Sequence, residues 1–231
     1  MVKIILNKDV SAKILITGFK GFGYVGYLTI NHLVNELNAE LVGVIDTVYF
    51  PPYITVRDGL TYSPYLVYNY KDLIILVFEE LSLDEKTNYI LSKVVEWTKN
   101  FGIEKFILIG GLDKSLMKEG DSNTKIISNR YWIERYGVID PLLKDTIRVV
   151  GPLAVMLHYA SLFQIPAIAI LAYADVGIED ARAAANAIDK INEILGLGIS
   201  KDKLLARHMM TKKQIEKYIR MQEKRGEGLY A

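Results

Sequence analysis

Apolar runs of strand length alternate with amphipathic, helix-like stretches along most of the chain. The apolar runs predict strands at Lys13–Gly18, Leu41–Asp46, Ile54–Arg57, Leu66–Tyr68, Leu73–Phe78, Phe106–Gly110, Ile147–Val149 and Ala167–Tyr173. The helical spacing predicts helices at Gly23–Leu37, Asp84–Phe101, Pro152–Phe163, Ile178–Leu195 and Thr211–Arg225. Several of the strand candidates are apolar throughout, which is typical of strands that are covered on both faces. The pattern therefore predicts an α/β fold, a three-layer α/β/α sandwich around a mixed, mainly parallel sheet.

The chain shows no internal repeat and no linker rich in Pro, Gly and Ser. We therefore expect a single α/β domain over residues 1–225, closed by a surface helix. The segment 226–231 contains two glycines and predicts a flexible C-terminal tail. Residues 111–146 fit the alternation poorly, and loops of this length in a compact domain are usually functional or contain short elements.

One uncharged stretch, Val149–Ala174, is long enough on count to span a bilayer. Gly151-Pro152 and Pro166 divide it into a piece of buried-helix length and a piece of strand length. The breaks argue against a membrane span and in favour of a helix followed by a central strand.

Composition and charge remove several classes of function. The chain is 51% hydrophobic and 24% charged, which is enough apolar material for a large core and too much for a disordered chain. Its 28 Lys and Arg residues balance 27 Asp and Glu residues, so the chain has no large net charge that would attract nucleic acid or an anionic membrane. It has no cysteine, which excludes disulfides and zinc–thiolate sites, and its charged N-terminal stretch is not a signal peptide. We expect a soluble cytoplasmic protein.

A glycine motif follows the first predicted strand and opens the first predicted helix. Gly21, Gly23 and Gly26 match G-x-G-x-x-G, and Asp46 ends the next strand 20 residues further on, as in a dinucleotide-binding fingerprint. In that interpretation the glycines let the backbone approach a pyrophosphate and Asp46 binds a ribose. In the other interpretation the glycines allow a sharp, closely packed turn that binds nothing. The bulky Phe22 and Tyr24 favour the second, and we expect no cofactor.

Three acidic residues, Asp46, Glu79 and Asp113, lie at or just beyond the ends of apolar strands. Ligands of open α/β sheets bind at the carboxyl ends of strands, so these side chains either converge on one cleft or cap neighbouring elements. Six tyrosines cluster at Tyr49, Tyr53, Tyr62, Tyr65, Tyr68 and Tyr70, a composition that suits either a contact surface or half-buried strands.

The histidines predict neither a metal site nor a catalytic base. His32, His158 and His208 lack metal-ligand spacing, and His158 lies in the uncharged stretch, where we expect a hydrogen-bonded core residue. No nucleophile elbow or P-loop occurs, so we predict no catalytic residue.

Several segments, in this order and spacing over residues 10–200, resemble the proteasome assembly chaperone family, in particular the archaeal homologues of its second member. The resemblance rests on GFKGFGYVGYLTINHLVNEL, AELVGVIDTVYFPPYITVRDG, GPLAVMLHYASLFQIPAIAILAYA and IEDARAAANAIDKINEILGL. It implies an α/β/α fold akin to nucleoside phosphorylases without an established enzymatic site, and it implies a homo-oligomer. It also accounts for the glycine turn without a nucleotide.

The resemblance extends to the end of the sequence. Members of this family, and proteasome activators, carry a terminal hydrophobic-Tyr-any tripeptide that inserts between α subunits of the 20S proteasome, and Leu229, Tyr230 and Ala231 match it. The resemblance therefore implies docking on the proteasome α ring, either as an assembly chaperone or as an activator. The alternative is a nucleotide- or nucleoside-binding enzyme that uses Gly21, Gly23, Gly26 and Asp46.

Overall fold

The strand order of the central sheet separates segments that are neighbours along the chain. The computed structural model describes residues 1–210. Its strands are β1 (Val2–Leu6), β2 (Ile14–Gly18), β3 (Glu40–Thr47), β4 (Thr55–Arg57), β5 (Leu60–Tyr62), β6 (Tyr65–Tyr70), β7 (Leu73–Phe78), β8 (Lys105–Asp113), β9 (Thr124–Ser128) and β10 (Ala167–Ala174). Eight of them form one sheet in the order β1-β3-β6-β7-β2-β8-β10-β9, and β4 pairs with β5 in a separate hairpin.

The sheet is mixed, as predicted. β2 pairs in parallel with β7 and β8, and β8 pairs in parallel with β10. The pairs that involve β1, β6 or β9 are antiparallel. β3 and the four central strands therefore point in one direction, and their carboxyl ends lie at the same end of the sheet.

Helices cover both faces of the sheet and complete the predicted three-layer sandwich. The helices are α1 (Val25–Glu36), α2 (Glu85–Phe101), α3 (Arg130–Tyr136), α4 (Pro152–Leu162) and α5 (Ala181–Leu195), and residues 202–210 are also helical. α1 and α5 pack on one face, and α2 and α4 pack on the other. Each face has its own apolar core because the inward side chains of each strand alternate between them.

Local capping explains several helix boundaries. The Asp84 side chain accepts hydrogen bonds from the backbone N–H groups of Lys86 and Thr87, which starts α2 where the sequence predicts it. α5 begins at Ala181 rather than at Ile178, because the Asp180 side chain caps it through the N–H of Ala183.

The uncharged stretch folds into α4, a connection that contains Pro166, and the fully buried β10. Within residues 1–210, no helix combines the length and the apolar character that a bilayer crossing requires.

Two sequence predictions on the described residues are wrong. Ile147–Val149 alternates like a strand because its two apolar side chains pack on the α2–α4 core, but the segment pairs with no strand of the sheet. His158 is exposed on the outer side of α4, against the edge of Tyr159, instead of buried in the core.

Other elements have no counterpart among the predictions. β1 precedes the first predicted strand, and β9 and α3 lie inside residues 111–146, which contain elements of their own. The predicted helix Thr211–Arg225 and the tail 226–231 lie outside the described residues.

Candidate functional site

The glycine motif forms a tight connection between β2 and α1. A short 3-10 turn, Phe22–Tyr24, lies between them. A Cβ atom on Gly26 would lie 2.5 Å from the carbonyl oxygen of Ile109 and 2.6 Å from the backbone nitrogen of Phe19. Gly18 faces Gly26 at a similarly short distance, so helix and sheet touch backbone to backbone. Only glycine fits this approach.

Gly23 is held by a second set of contacts. Its φ of 60° lies in the left-handed region, and a Cβ there would lie 2.6 Å from the Cβ of Ala174. Its carbonyl oxygen accepts a hydrogen bond from the N–H of Asp180, which joins the turn to the start of α5. Packing therefore accounts for Gly23 and Gly26 without a ligand. Gly21 differs from both, because nothing lies within 4 Å of the position of its Cβ.

An open cleft of about 810 Å³ lies beside Gly21, at the carboxyl ends of β2, β8 and β10. Its walls are mainly apolar. The apolar lining residues include Phe22, Leu112, Val149, Leu153 and Leu171. The charged lining residues are Lys20, Asp84, Glu85 and Arg148. The cleft has the size of a small-molecule site and lies where α/β folds bind ligands.

Asp46 lies away from this cleft. It is exposed on β3 and pairs in register with Lys3 of β1. β6 and β7 separate β3 from β2, a spacing of roughly 14 Å at about 4.8 Å per strand. The structure therefore does not bring Asp46 to the glycine turn, whereas a dinucleotide fingerprint places its acidic residue on the strand beside the turn.

Glu79, which is itself buried, anchors a partly buried polar network that the sequence analysis did not identify. One of its carboxylate oxygens accepts a hydrogen bond of 2.5 Å from the Tyr27 hydroxyl, and the other pairs with the Arg57 guanidinium at 2.6 Å. Burial, reinforced by the hydrogen bond to Glu79, raises the pKa of the Tyr27 phenol. Through Arg57 the network ties the β4–β5 hairpin to the end of β7. Its only sequence signal is an acidic residue directly after a buried apolar run.

The three strand-end acids do not converge. Asp113 accepts the backbone N–H of Ser115 and caps a short 3-10 turn, and this hydrogen bond lowers the pKa of its carboxyl group. Asp113 and Glu79 thus stabilise separate local structures, and Asp46 lies on a third strand. Within residues 1–210, no three His, Asp or Glu side chains form a group that could hold a metal ion.

The tyrosine cluster divides between the two interpretations that the sequence leaves open. Tyr65 and Tyr68 are buried in β6 and belong to the cores. Tyr49 and Tyr53 are exposed in the connection after β3, next to other exposed apolar side chains at Val48, Phe50 and Ile54. This connection presents an apolar surface at the same end of the molecule as the cleft.

The residues predicted to bind a partner, Leu229, Tyr230 and Ala231, lie outside the described residues. The last described stretch, residues 202–210, packs along α1 and α5. Lys203 pairs with Glu36 at the end of α1, and Arg207 pairs with Glu179 just before α5. The chain therefore runs toward the carboxyl end of the sheet as it approaches residue 210.

This fold, a mixed α/β/α sandwich, is shared with a family of known proteins. The model of the PAC2 family matches residues 15–219, and the chain belongs to that family. The uncharacterized protein MJ1210 of Methanocaldococcus jannaschii is 25% identical over 96% of this chain and 91% of its own length.

Among solved structures, PbaA of Pyrococcus furiosus, an archaeal homologue of proteasome-assembly chaperone, is 27% identical, with a TM-score of 0.81 over 97% of this chain and 100% of PbaA. PbaB of the same organism, an archaeal proteasome activator, is 22% identical, with a TM-score of 0.73 over 94% of this chain and 98% of PbaB. The likeness to PbaB concerns the fold.

Proposed function

We propose that this protein is a proteasome assembly chaperone or activator without catalytic activity, which docks on the α ring of the 20S proteasome through C-terminal tails. The observation that carries the proposal is the likeness to PbaA, which extends over 97% of this chain at 27% identity. The glycine turn supports the proposal of a protein without a nucleotide site, because contacts within the chain require two of its glycines.

The chemistry of the terminal tripeptide is coherent with such docking. Tyr230 fills a groove between two α subunits and donates a hydrogen bond, while Leu229 buries apolar area. The α-carboxylate of Ala231 pairs with a lysine of the pocket. Gly226 and Gly228 precede the tripeptide in the sequence, and glycine restricts the backbone less than any other residue.

A single tripeptide binds weakly, so the proposal includes a homo-oligomer that presents several tails at once. Linked tails raise one another's effective concentration and strengthen binding without any new contact. Light scattering at micromolar protein checks this part of the proposal, because a mass equal to that of one chain contradicts it.

Co-purification of tagged protein with 20S α subunits tests the proposal. We expect Tyr230→Ala to remove most of the α subunits that the wild type retains, because the groove loses both the ring and the hydroxyl group. Ala231→Ser is the matched control and retains them, since the last position contributes mainly its carboxylate. Equal retention by Tyr230→Ala and the wild type would show that the tail does not carry the interaction.

The second candidate function, a nucleotide- or nucleoside-binding enzyme, rests on one observation. The cleft of about 810 Å³ lies beside Gly21, which has open space around it. A thermal shift with ATP, NAD and nucleosides distinguishes the two functions, since a ligand at 100 times its Kd stabilises the fold by about 2.7 kcal/mol. The proposed function predicts no shift with any of them.

A further inference from the structure

The two edge strands of the eight-stranded sheet differ in how their outward backbone groups are covered. At one edge, the backbone of β9 is covered by the segment after α3. Ile126 donates its N–H to the carbonyl of Pro141 and accepts the N–H of Leu143, at 2.8 and 2.9 Å. At the other edge lies β1, and within residues 1–210 no strand lies on its outer side. An uncovered edge strand is a template for pairing with another chain.

The hydrogen-bond parity of β1 shows which backbone groups are unpaired. Asn7 donates its N–H to Val42 of β3, and the register continues in steps of one residue from Leu6 opposite Gly43 to Val2 opposite Thr47. The N–H and C=O groups of successive residues point to opposite sides of an antiparallel strand, so those of Lys3 and Ile5 point at β3. The N–H and C=O groups of Val2, Ile4 and Leu6 therefore point away from the sheet.

The side chains of β1 are also incompletely covered. Val2, Ile4 and Leu6 pack against the α2–α4 core but remain only partly buried, and Ile5 on the opposite face is 49% exposed. An open cleft of about 720 Å³ lies beside the strand. It is lined by β1 and, on α2, by Tyr89, Lys93, Glu96, Trp97 and Asn100.

We infer that β1 pairs with β1 of a second copy of this chain, in antiparallel orientation about a two-fold axis at Ile4. This register places Ile4 opposite Ile4 and Val2 opposite Leu6, so each unpaired N–H and C=O group of one strand meets one of the other. The two sheets then form one continuous sheet, and the outer side of each strand is covered.

Charge disfavours one alternative register that has the same hydrogen-bond parity, whereas an axis at Ile5 would leave the outward groups of Val2 without an outward partner in the second β1. A two-fold axis at Ile4 places Lys3 opposite Ile5 of the second copy, whereas an axis at Lys3 places the two lysines opposite each other. Like charges directly opposite are destabilising. The cleft carries both signs, because Lys93 and Glu96 of α2 form an ion pair of 2.6 Å within the chain. Two-fold symmetry allows each to face its opposite in the second copy.

This interface would provide the self-association that the proposed function includes. The inference rests on the proposed function only for the expectation that the chain self-associates. Its test uses the protein alone. A chain that ends at Gly228 keeps β1 intact, so we expect it to self-associate like the wild type while losing the proteasome. Failure of either proposal is therefore seen separately.

A matched pair of charge variants tests the register. Ile5→Lys places like charges opposite each other on both sides of the two-fold axis, whereas Ile5→Glu places a carboxylate opposite Lys3 of the second copy. Both remove the same apolar side chain from the same exposed position. By sedimentation equilibrium, we expect Ile5→Lys to raise the dissociation constant of the dimer at least about tenfold relative to Ile5→Glu. Equal constants would overturn the register.

Amide hydrogen exchange of the wild type tests the interface without any substitution. At concentrations where the dimer dominates, we expect slow exchange at all five strand residues. On dilution to monomer, the amides of Val2, Ile4 and Leu6 become fast while those of Lys3 and Ile5 stay slow. Fast exchange at Val2, Ile4 and Leu6 in the associated protein, or a monomer at every concentration, would overturn the inference.

Discussion

The glycine turn after β2 and the outer edge of β1 use the backbone in opposite ways. In the turn, Gly26 touches the backbone of Phe19 and Ile109, and the carbonyl oxygen of Gly23 is bonded to Asp180. At the edge, the register with β3 leaves the outward backbone groups of three residues without a strand partner in the described part of the chain. A motif that is typical of a ligand site is thus occupied by the protein itself, while an ordinary apolar strand presents open hydrogen-bonding groups.

The largest expected loss of stability is that of Gly26→Ala, which tests whether the glycine turn is required for packing. Gly26→Ala places a methyl group 2.5 Å from the carbonyl oxygen of Ile109, and both partners are backbone that cannot move independently. We expect the free energy of unfolding to fall by about 3 kcal/mol. Urea denaturation measures this, and a variant as stable as the wild type would contradict the packing account of the motif.

Glu79→Ala is expected to have the next largest effect, because it removes the acceptor of the Tyr27 hydroxyl and the partner of Arg57. A buried donor left without an acceptor costs about 1–3 kcal/mol, and we expect the lower end of this range because the Tyr27 hydroxyl is only partly buried and Arg57 is exposed to solvent. Urea denaturation beside Glu80→Ala, a neighbouring exposed carboxylate, provides the control. Similar losses in the two variants would show that the network adds nothing specific.

Asp180→Ala tests the side-chain cap that begins α5 beside the glycine turn. The Asp180 carboxylate accepts the N–H groups of Ala183 and Asp175 at 2.9 and 3.2 Å. We expect a loss of about 1 kcal/mol in the free energy of unfolding, the usual cost of losing a helix cap. Asp189→Ala, on an exposed position of the same helix, is expected to cost less. The reverse order in chemical denaturation would contradict the capping role.

Gly21→Ala is expected to have the smallest effect, within about 0.5 kcal/mol of the wild type. The position has open space around it and an extended backbone that any residue adopts. The contrast with Gly26→Ala distinguishes two of the three glycines of the motif in a single denaturation experiment. If both variants were equally destabilised, the difference in packing between them would be wrong.

Continuous apolar runs made the centre of the sheet predictable from the sequence. β2, β7, β8 and β10 are buried between two helical layers, so nearly every position in them is apolar and their signal is strong. β1 and β9 lie at the edges, where one side is partly open and fewer positions must be apolar. Ile147–Val149 shows the converse, because its alternation reflects packing on a core without any strand partner.

The candidate site was less predictable for a different reason. Whether a glycine motif binds a ligand or packs on itself depends on the residues that approach it, here Phe19, Ile109 and Ala174, which are distant in sequence. The distance of Asp46 from the turn follows from the strand order, in which two strands intervene. The local spacing of residues along the chain predicts neither the packing nor the strand order.

The most direct test of the proposed function is equilibrium binding of the purified protein to isolated 20S α rings, with the wild type compared with a chain that ends at Gly228. The core of the described fold extends no further than Leu204, so we expect the two proteins to have nearly equal Tm values. We predict that the wild type binds and that the shortened chain loses most of its affinity. A shortened chain with equal Tm that binds the α ring as tightly as the wild type would contradict it.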